Sequence, residues 1–336
     1  MTAARRVRPA GRAGAVVAGG VLAGVALVLA HLFIGRSDLP AGEVFRALTG
    51  RASHPAYQVI VLDYRLPRVL VGLAAGALLA VAGVLVQAVV RNPLAEPATT
   101  GVGAGAALAV TGSLVLWPGH ALAYPAALAG ALATGAILYA VGRRSLAVAG
   151  VLLGAVLSAA TSLLLVVDSA PMGVVLRWLI GSLNARTPHD WAQLWPWVAV
   201  LLPLACALSS RLNVWALGDP AAIGLGLRTG PFLAVVLLVA VTAAAAAIAA
   251  AGAVAFVGLV APHVGRLLVG TDHRLLVPVS ATLGAVLLSL ADLAAFSVTV
   301  RLPGLATDIA GVPVGAVTAL VGAPVLISLV RRGNRP

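Results

Sequence analysis

"RVLVGLAAGALLAVAGVLVQAVVRNPLAEP" (residues 68–97) runs from Val69 to Val86 without one polar side chain, then meets Gln87, Arg91, Asn92 and Pro93. About 20 apolar residues in a row suffice for a helix to cross roughly 30 Å of hydrocarbon. The run is continuous rather than alternating and rich in Ala and Leu, which favours a helix over a strand, and an open sheet edge does not survive in lipid. The stretch therefore predicts a membrane helix over 68–90. Arg91 marks its interface, and Pro93 and Pro97 prevent the ladder from continuing. Gly72, Gly76 and Ala80 form a stripe of small residues inside it, the pattern that lets helix backbones approach in a bilayer.

The rest of the chain repeats this design. Its 336 residues are 61% hydrophobic and 10% charged, with a mean hydropathy of +1.06, which leaves too little polar surface for a soluble domain. Apolar runs near 14–34, 68–90, 98–117, 121–142, 146–167, 191–209, 231–251, 253–270, 276–299 and 314–330 predict an all-α polytopic membrane protein of about ten transmembrane helices. No strands are expected. The chain reads as a single transmembrane domain over 1–336, with a short arm at 1–13. The run from Ala13 to Ile34 is too long for a signal-peptide core and reads as the first span.

An even number of spans places both ends on one side. Arg5, Arg6, Arg8 and Arg12 precede the first span and Arg331, Arg332 and Arg335 follow the last, so both termini are expected in the cytoplasm. Fourteen arginines then fall inside and eight outside, a bias in the expected direction. Two segments between spans are long. Residues 35–67 lie outside, with Pro40, Glu43, Arg46 and Pro55 suited to a short amphipathic helix on the membrane surface, and residues 210–230 lie inside.

Charge and motif content exclude several functions. The net charge of +12 comes entirely from arginine, and without lysine the chain has no P-loop for ATP hydrolysis. The arginines sit between spans rather than on one basic face, so nucleic acid is not an expected partner. Cys206 is the only cysteine, and His263 and His273 lie ten residues apart with no HExxH-type spacing, so neither a metal site nor a cofactor is expected. No GxSxG elbow or Ser–His–Asp set can be assembled, and no catalytic residue is assigned.

The polar residues within the spans have plain readings. Gly150, Gly154, Ser158 and Ser162 recur every four residues with Thr161 beside them, either a tight helix contact or a lining face. Asp292 lies inside the ninth span, where a carboxylate costs about 2.5–3.5 kcal/mol at the bilayer centre. It should face protein, water or the outer interface, and a proton relay through it lacks an evident partner. In "VGLVAPHVGRLLVGTDHR" (257–274), His263 and Arg266 share a helix face, and "TDHR" makes a polar turn at the inner interface.

Three strings together resemble the FecCD-type permeases of ABC importers for iron-siderophore complexes, haem and cobalamin: 64–109 around "RLPR" and "RNPLAEP", 252–292 around "APHVGRLLVGTDHR", and 313–330 beginning "PVGAV". The family signature falls on Arg91, Asn92, Pro93, Pro262, His263, Arg266, Asp272, His273 and Arg274. The resemblance implies ten helices per subunit, a second permease chain, separate cytoplasmic ATPase subunits, an extracytoplasmic binding protein and a place in the bacterial cytoplasmic membrane. It makes residues 212–230 a coupling loop of two short helices on the ATPase, with Asn213, Leu217, Gly218, Asp219, Ala221, Ala222, Leu225 and Leu227 as contacts. Asn213 and Asp219 are suited to capping and Pro220 to a first turn. It makes Arg65 and Arg68 docking residues for the binding protein, and Ser158, Thr161 and Ser162 candidates for the translocation path. The pattern breaks after "LAD", where an arginine is usual and this chain has Phe296, and again where "ELPVG" reads Gly311-Val312-Pro313-Val314-Gly315. Arg301 or Asp308 could take over docking. The expected cargo is a ferric siderophore, with haem or cobalamin as alternatives. An ion-coupled secondary transporter is the rival from another class, supported by Asp292 alone.

Overall fold

The computed structural model describes residues 9–35, 37, 39–96, 101–118, 122–141, 146–168, 172–297, 299–300, 309–310 and 312–333. Among them fourteen α-helices follow in order: α1 Pro9–Phe33, α2 Ala41–Leu48, α3 Pro55–Val59, α4 Leu66–Val90, α5 Val102–Leu116, α6 Ala123–Val141, α7 Leu146–Val167, α8 Met172–Ile180, α9 Pro188–Ala216, α10 Asp219–Gly224, α11 Thr229–Ala251, α12 Val257–Val269, α13 His273–Ser297 and α14 Val314–Gly333. Among the described residues, seven helical segments are long and apolar enough to cross a membrane: those of α1, α3–α4, α6, α7, α9, α11 and α13. The shorter apolar helices α5, α12 and α14 complete the expected set of about ten.

The stretch that opened the sequence reading is the axis of the molecule. α4 is buried on nearly every side, packed by α13, α11, α9 and α12. Lipid provides no hydrophobic push between helices, so contact depends on backbones coming close. The small-residue stripe does this. A Cβ on Gly76 would strike the Gly284 carbonyl of α13, and one on Gly83 would strike the Gly258 carbonyl of α12. On α11 the alanine-rich end from Ala243 to Ala251 is wholly buried.

Several boundaries differ from the sequence reading for local reasons. The second span begins earlier, because α3 continues through a π-helical turn, Ile60–Arg65, directly into α4. Pro67 has no N–H to donate and its ring crowds the preceding turn, and a wider π turn accommodates that within a continuous helix. The outer amphipathic helix exists as α2, which buries Val44 and Ala47. α9 runs past the expected end at 209 to Ala216, so Asn213 lies in the long helix and α10 is the single separate short helix of the loop. α8 was not foreseen, and a two-residue antiparallel pair, Thr299–Val300 (β1) with Ile309–Ala310 (β2), occurs where no strand was expected.

Candidate functional site

Two polar clusters cap the α4–α13 pair, one at each end. At the end bearing α10, α4 stops because Arg91 adopts the left-handed conformation (φ 54°). Asn92 then accepts from the Leu94 amide through its side chain, at 2.9 Å, and turns the chain back. The Arg91 side chain crosses to α9, where its guanidinium stacks 4.0 Å from the centre of the Trp215 ring and donates to the Trp215 carbonyl at 3.1 Å. It also pairs with Asp219, the first residue of α10, at 2.6 Å. Trp215 is buried and its indole N–H donates to the Ala88 carbonyl of α4 at 3.0 Å. The short helix thus hangs from α4 by a stacked arginine and from α9 by the chain itself.

The opposite side of α9 is tied to the turn between α12 and α13. Asn213 donates to Asp272 at 2.6 Å and accepts from the His273 amide at 2.9 Å. Arg274 donates to Ser210 at 3.1 Å. Asn213 therefore joins two elements rather than capping a helix. Its hydrogen bond, together with that from the Arg274 amide, holds the Asp272 carboxyl below the usual carboxylate range. Gln87 completes the cluster: its amide donates to the carbonyls of Ala95 and Gly258, and its oxygen accepts from Arg266. His263 lies half-buried on the same helix as Arg266. Pro262 is buried in α12, whereas Pro93 is exposed.

Glu96 was not singled out by sequence. It is buried in the turn after Asn92, against the backbone amide of Phe256 at the start of α12, and burial pushes its carboxyl up to about 7. An acid set between an apolar Leu-Ala pair and a proline was the available signal.

At the far end of the pair, Arg68 and Asp292 form a bidentate ion pair, with Nε to Oδ2 at 2.7 Å and Nη2 to Oδ1 at 2.8 Å. His31, in the last turn of α1, spans the Leu27 carbonyl at 2.9 Å and the same carboxylate at 3.3 Å. Phe296 lies over the Arg68 guanidinium at 4.3 Å, so the residue that replaces the usual arginine covers the pair instead of adding charge. Asp292 has the partner that sequence reading did not find. Arg65 is buried as well, donating to the Leu32 carbonyl at 2.6 Å and to both oxygens of Ser37 at 2.9 Å. Neither guanidinium stands at a free rim. Both line a cavity of about 250 Å³ with His31, Tyr64, Ala185 and Phe296. Arg301 and Asp308 lie outside the described residues, as do Arg5, Arg6, Arg8 and Arg335.

Of the lining candidates on α7, Ser158 and Ser162 are exposed, while Thr161 is buried with its hydroxyl on the Leu157 carbonyl at 2.9 Å. The glycine half of the same stripe is a helix contact, where Gly154 packs against Gly101. On α10, Ala222 is buried and Ala221 exposed, with Gly218 at the turn into the helix (φ 102°). Leu217, Ile223 and Leu225 are 64%, 60% and 65% exposed, although they lie beyond the apolar part of α9, and Leu227 is half-buried.

The FecCD transport family matches residues 22–332. The chain is 36% identical to a probable siderophore transport system permease protein of Bacillus subtilis, over 94% of each chain. It is 38% identical to the ferric dicitrate transport system permease protein FecD of Escherichia coli, over 93% of this chain and 96% of that one. A solved structure described as an inward-facing metal-chelate type ABC transporter superposes with a TM-score of 0.81 at 28% identity, covering 95% of this chain and 99% of that one. With the order of its spans, the glycine crossings and these likenesses in agreement, this chain belongs to the FecCD transport family, as a multi-pass membrane permease of an ABC import system and not an enzyme.

Proposed function

We propose that the chain carries a ferric siderophore or a similar ferric chelate across the cytoplasmic membrane, as one permease domain over its whole length, with both termini inside. The cargo follows from the names of its relatives, a siderophore permease and a ferric dicitrate permease. A separate ATPase supplies the energy, and residues 212–230 receive its motion.

The observation that carries this reading is the presentation of α10. Three large apolar side chains, Leu217, Ile223 and Leu225, stand exposed on a polar loop, and such a patch calls for a protein partner. α10 is also tied to α4 through Arg91 and, through α9 and Asn213, to the α12–α13 turn. A push on the loop therefore reaches both members of the central helix pair. The substrate path lies between two copies or near-copies of the chain, with α7 at the seam. Ser158 and Ser162 offer a mildly polar wall there, while the Thr161 hydroxyl is used internally.

The extracytoplasmic binding protein docks on the opposite face. Arg65 and Arg68 are placed beneath that face, and the geometry favours an internal role for Arg68, with Asp292, over a rim contact. The same pair removes the one feature that favoured an ion-coupled transporter, since the carboxylate is already matched.

The test is reconstitution with the ATPase and binding protein in liposomes. Leu225→Asp should leave basal ATP hydrolysis intact and abolish uptake of a ferric siderophore. Unchanged coupling, or uptake driven by an ion gradient without the ATPase, overturns the reading. Preference for cobalamin or haem over the ferric chelate corrects the cargo alone.

A further inference from the structure

A crevice of about 470 Å³ is bounded by α4, α5, α6 and α11. Its walls are Val, Leu, Ala and Gly, with Tyr139 as the one residue bearing a polar group. Leu238 and Tyr139 at its opening are exposed, so it opens sideways from the bundle. A ferric chelate would find nothing there to bind its polar surface.

Its depth identifies a better occupant. On α11 the lining residues Ala234, Leu237, Val241 and Ala244 lie on one helical face. From first to last they span about 15 Å at 1.5 Å per residue, half of the roughly 30 Å of hydrocarbon. The crevice starts beside Val90, the last residue of α4, and near the end of α6, so it occupies the half of the membrane next to α10. Toward that same end, Arg228 is exposed just before the first turn of α11, the helix that lines the slot from Ala234 onward. A cation at the end of an apolar slot of one-leaflet depth matches the phosphate and acyl chain of an anionic lipid.

We infer that this crevice is a binding site for an anionic phospholipid of the cytoplasmic leaflet, with one acyl chain between α6 and α11 and its phosphate at Arg228. The leaflet assignment rests on the orientation proposed above. A chain held there would wedge α6 against α11, filling space that no protein atom fills, and would fasten the start of α11 immediately after the coupling loop.

The experiment uses the purified full-length chain in detergent, loaded with phosphatidylglycerol or with phosphatidylcholine of the same acyl composition, then washed and weighed intact by native mass spectrometry. The wild type should retain one phosphatidylglycerol per chain and several-fold less phosphatidylcholine. Ala234→Trp, which fills the slot, should lower that retention at least ten-fold. Ala136→Trp, at an exposed wall position that folding tolerates more readily, should do the same. Arg228→Gln should erase the preference between the two lipids. Leu22→Trp, on the lipid-facing side of α1, should change nothing. Retention unaffected by both tryptophans, equal retention of the two lipids by the wild type, or mass corresponding to a second copy in place of lipid overturns the inference. Orientation is read separately by labelling Arg228→Cys in a Cys206→Ala background with an impermeant maleimide. Labelling from outside would sink the leaflet and coupling assignments while leaving the lipid site standing.

Discussion

At one end of the central helix pair, Arg68 and Asp292 are 10% and 1% exposed and bind each other twice; at the other, Arg91 and Asp219 are 39% and 45% exposed and bind once. Both are arginine–carboxylate pairs made by α4. They differ in what surrounds them. The first is enclosed by His31 and Phe296, and separating it would leave charges in a medium that cannot solvate them. The second is partly open to solvent, where an ion pair opens and closes at smaller cost. A helix pair locked at one end and loosely clasped at the other can pivot at the clasp without coming apart at the lock.

The largest effect should come from breaking the lock on one side only. Arg68→Ala strands a buried carboxylate and should cost about 3–5 kcal/mol, read as a lowered melting temperature of the purified chain. Replacing both partners, as Arg68→Met with Asp292→Leu, should restore most of that loss, because an apolar pair needs no solvation. A double-mutant cycle in which the two losses simply add would show that the residues do not act as a pair. Were the lock a docking residue, Arg68→Glu would leave the melting temperature alone and weaken binding-protein affinity in a salt-dependent way.

Next in size is the buried acid beside the clasp. Glu96 titrates near 7 in the folded chain, above the ordinary value of 4.5, so the fold favours its protonated form. Its contribution is full below about 4.5, is lost as pH rises toward 7, and changes no further beyond, with a total of about 3 kcal/mol at most. Glu96→Gln should flatten the slope of stability against pH across that window. An unaltered slope would move the titration elsewhere. Between the two ends, Gly76→Ala forces a methyl against the Gly284 backbone and should cost about 1–3 kcal/mol, whereas Gly14→Ala on α1 meets open space and should cost nothing.

How much of this was legible beforehand depends on range. The spans could be read because hydrocarbon thickness imposes the same length on every one, and the glycine stripe of α4 could be read because four-residue spacing marks one helix face. α8 escaped because nine residues are too few to span. The end of α9 was misplaced because the helix outlasts the membrane that the hydropathy pattern reports. The lock was invisible to any local pattern, since Arg68 and Asp292 are 224 residues apart. Depth could have suggested it: an acid near the end of one span requires a cation at the same level, and Arg68 flanks the apolar run that begins at Val69 at that level. The Asn213 tie from the end of α9 to the α12–α13 turn crosses 59 residues, and nothing in either segment encodes the other.

The smallest effect on stability should be the most informative about mechanism. An exposed ion pair contributes about 0.2–1 kcal/mol, so Arg91→Gln should scarcely move the melting temperature. On the proposed coupling role of α10, it should still lower the uptake obtained per ATP hydrolysed, because α10 loses its direct tie to α4. Raising salt from about 0.1 M to about 1 M shortens the screening length from about 10 Å to about 3 Å and should imitate the substitution only in part, since the stack on Trp215 is less sensitive to ions than the contact with Asp219. Arg91→Lys separates the two components: it keeps the charge but gives up the flat guanidinium face that rests on the indole. If the lysine variant couples as well as the wild type, charge alone links α10 to α4. If it couples no better than glutamine, the stacked ring is what carries the motion.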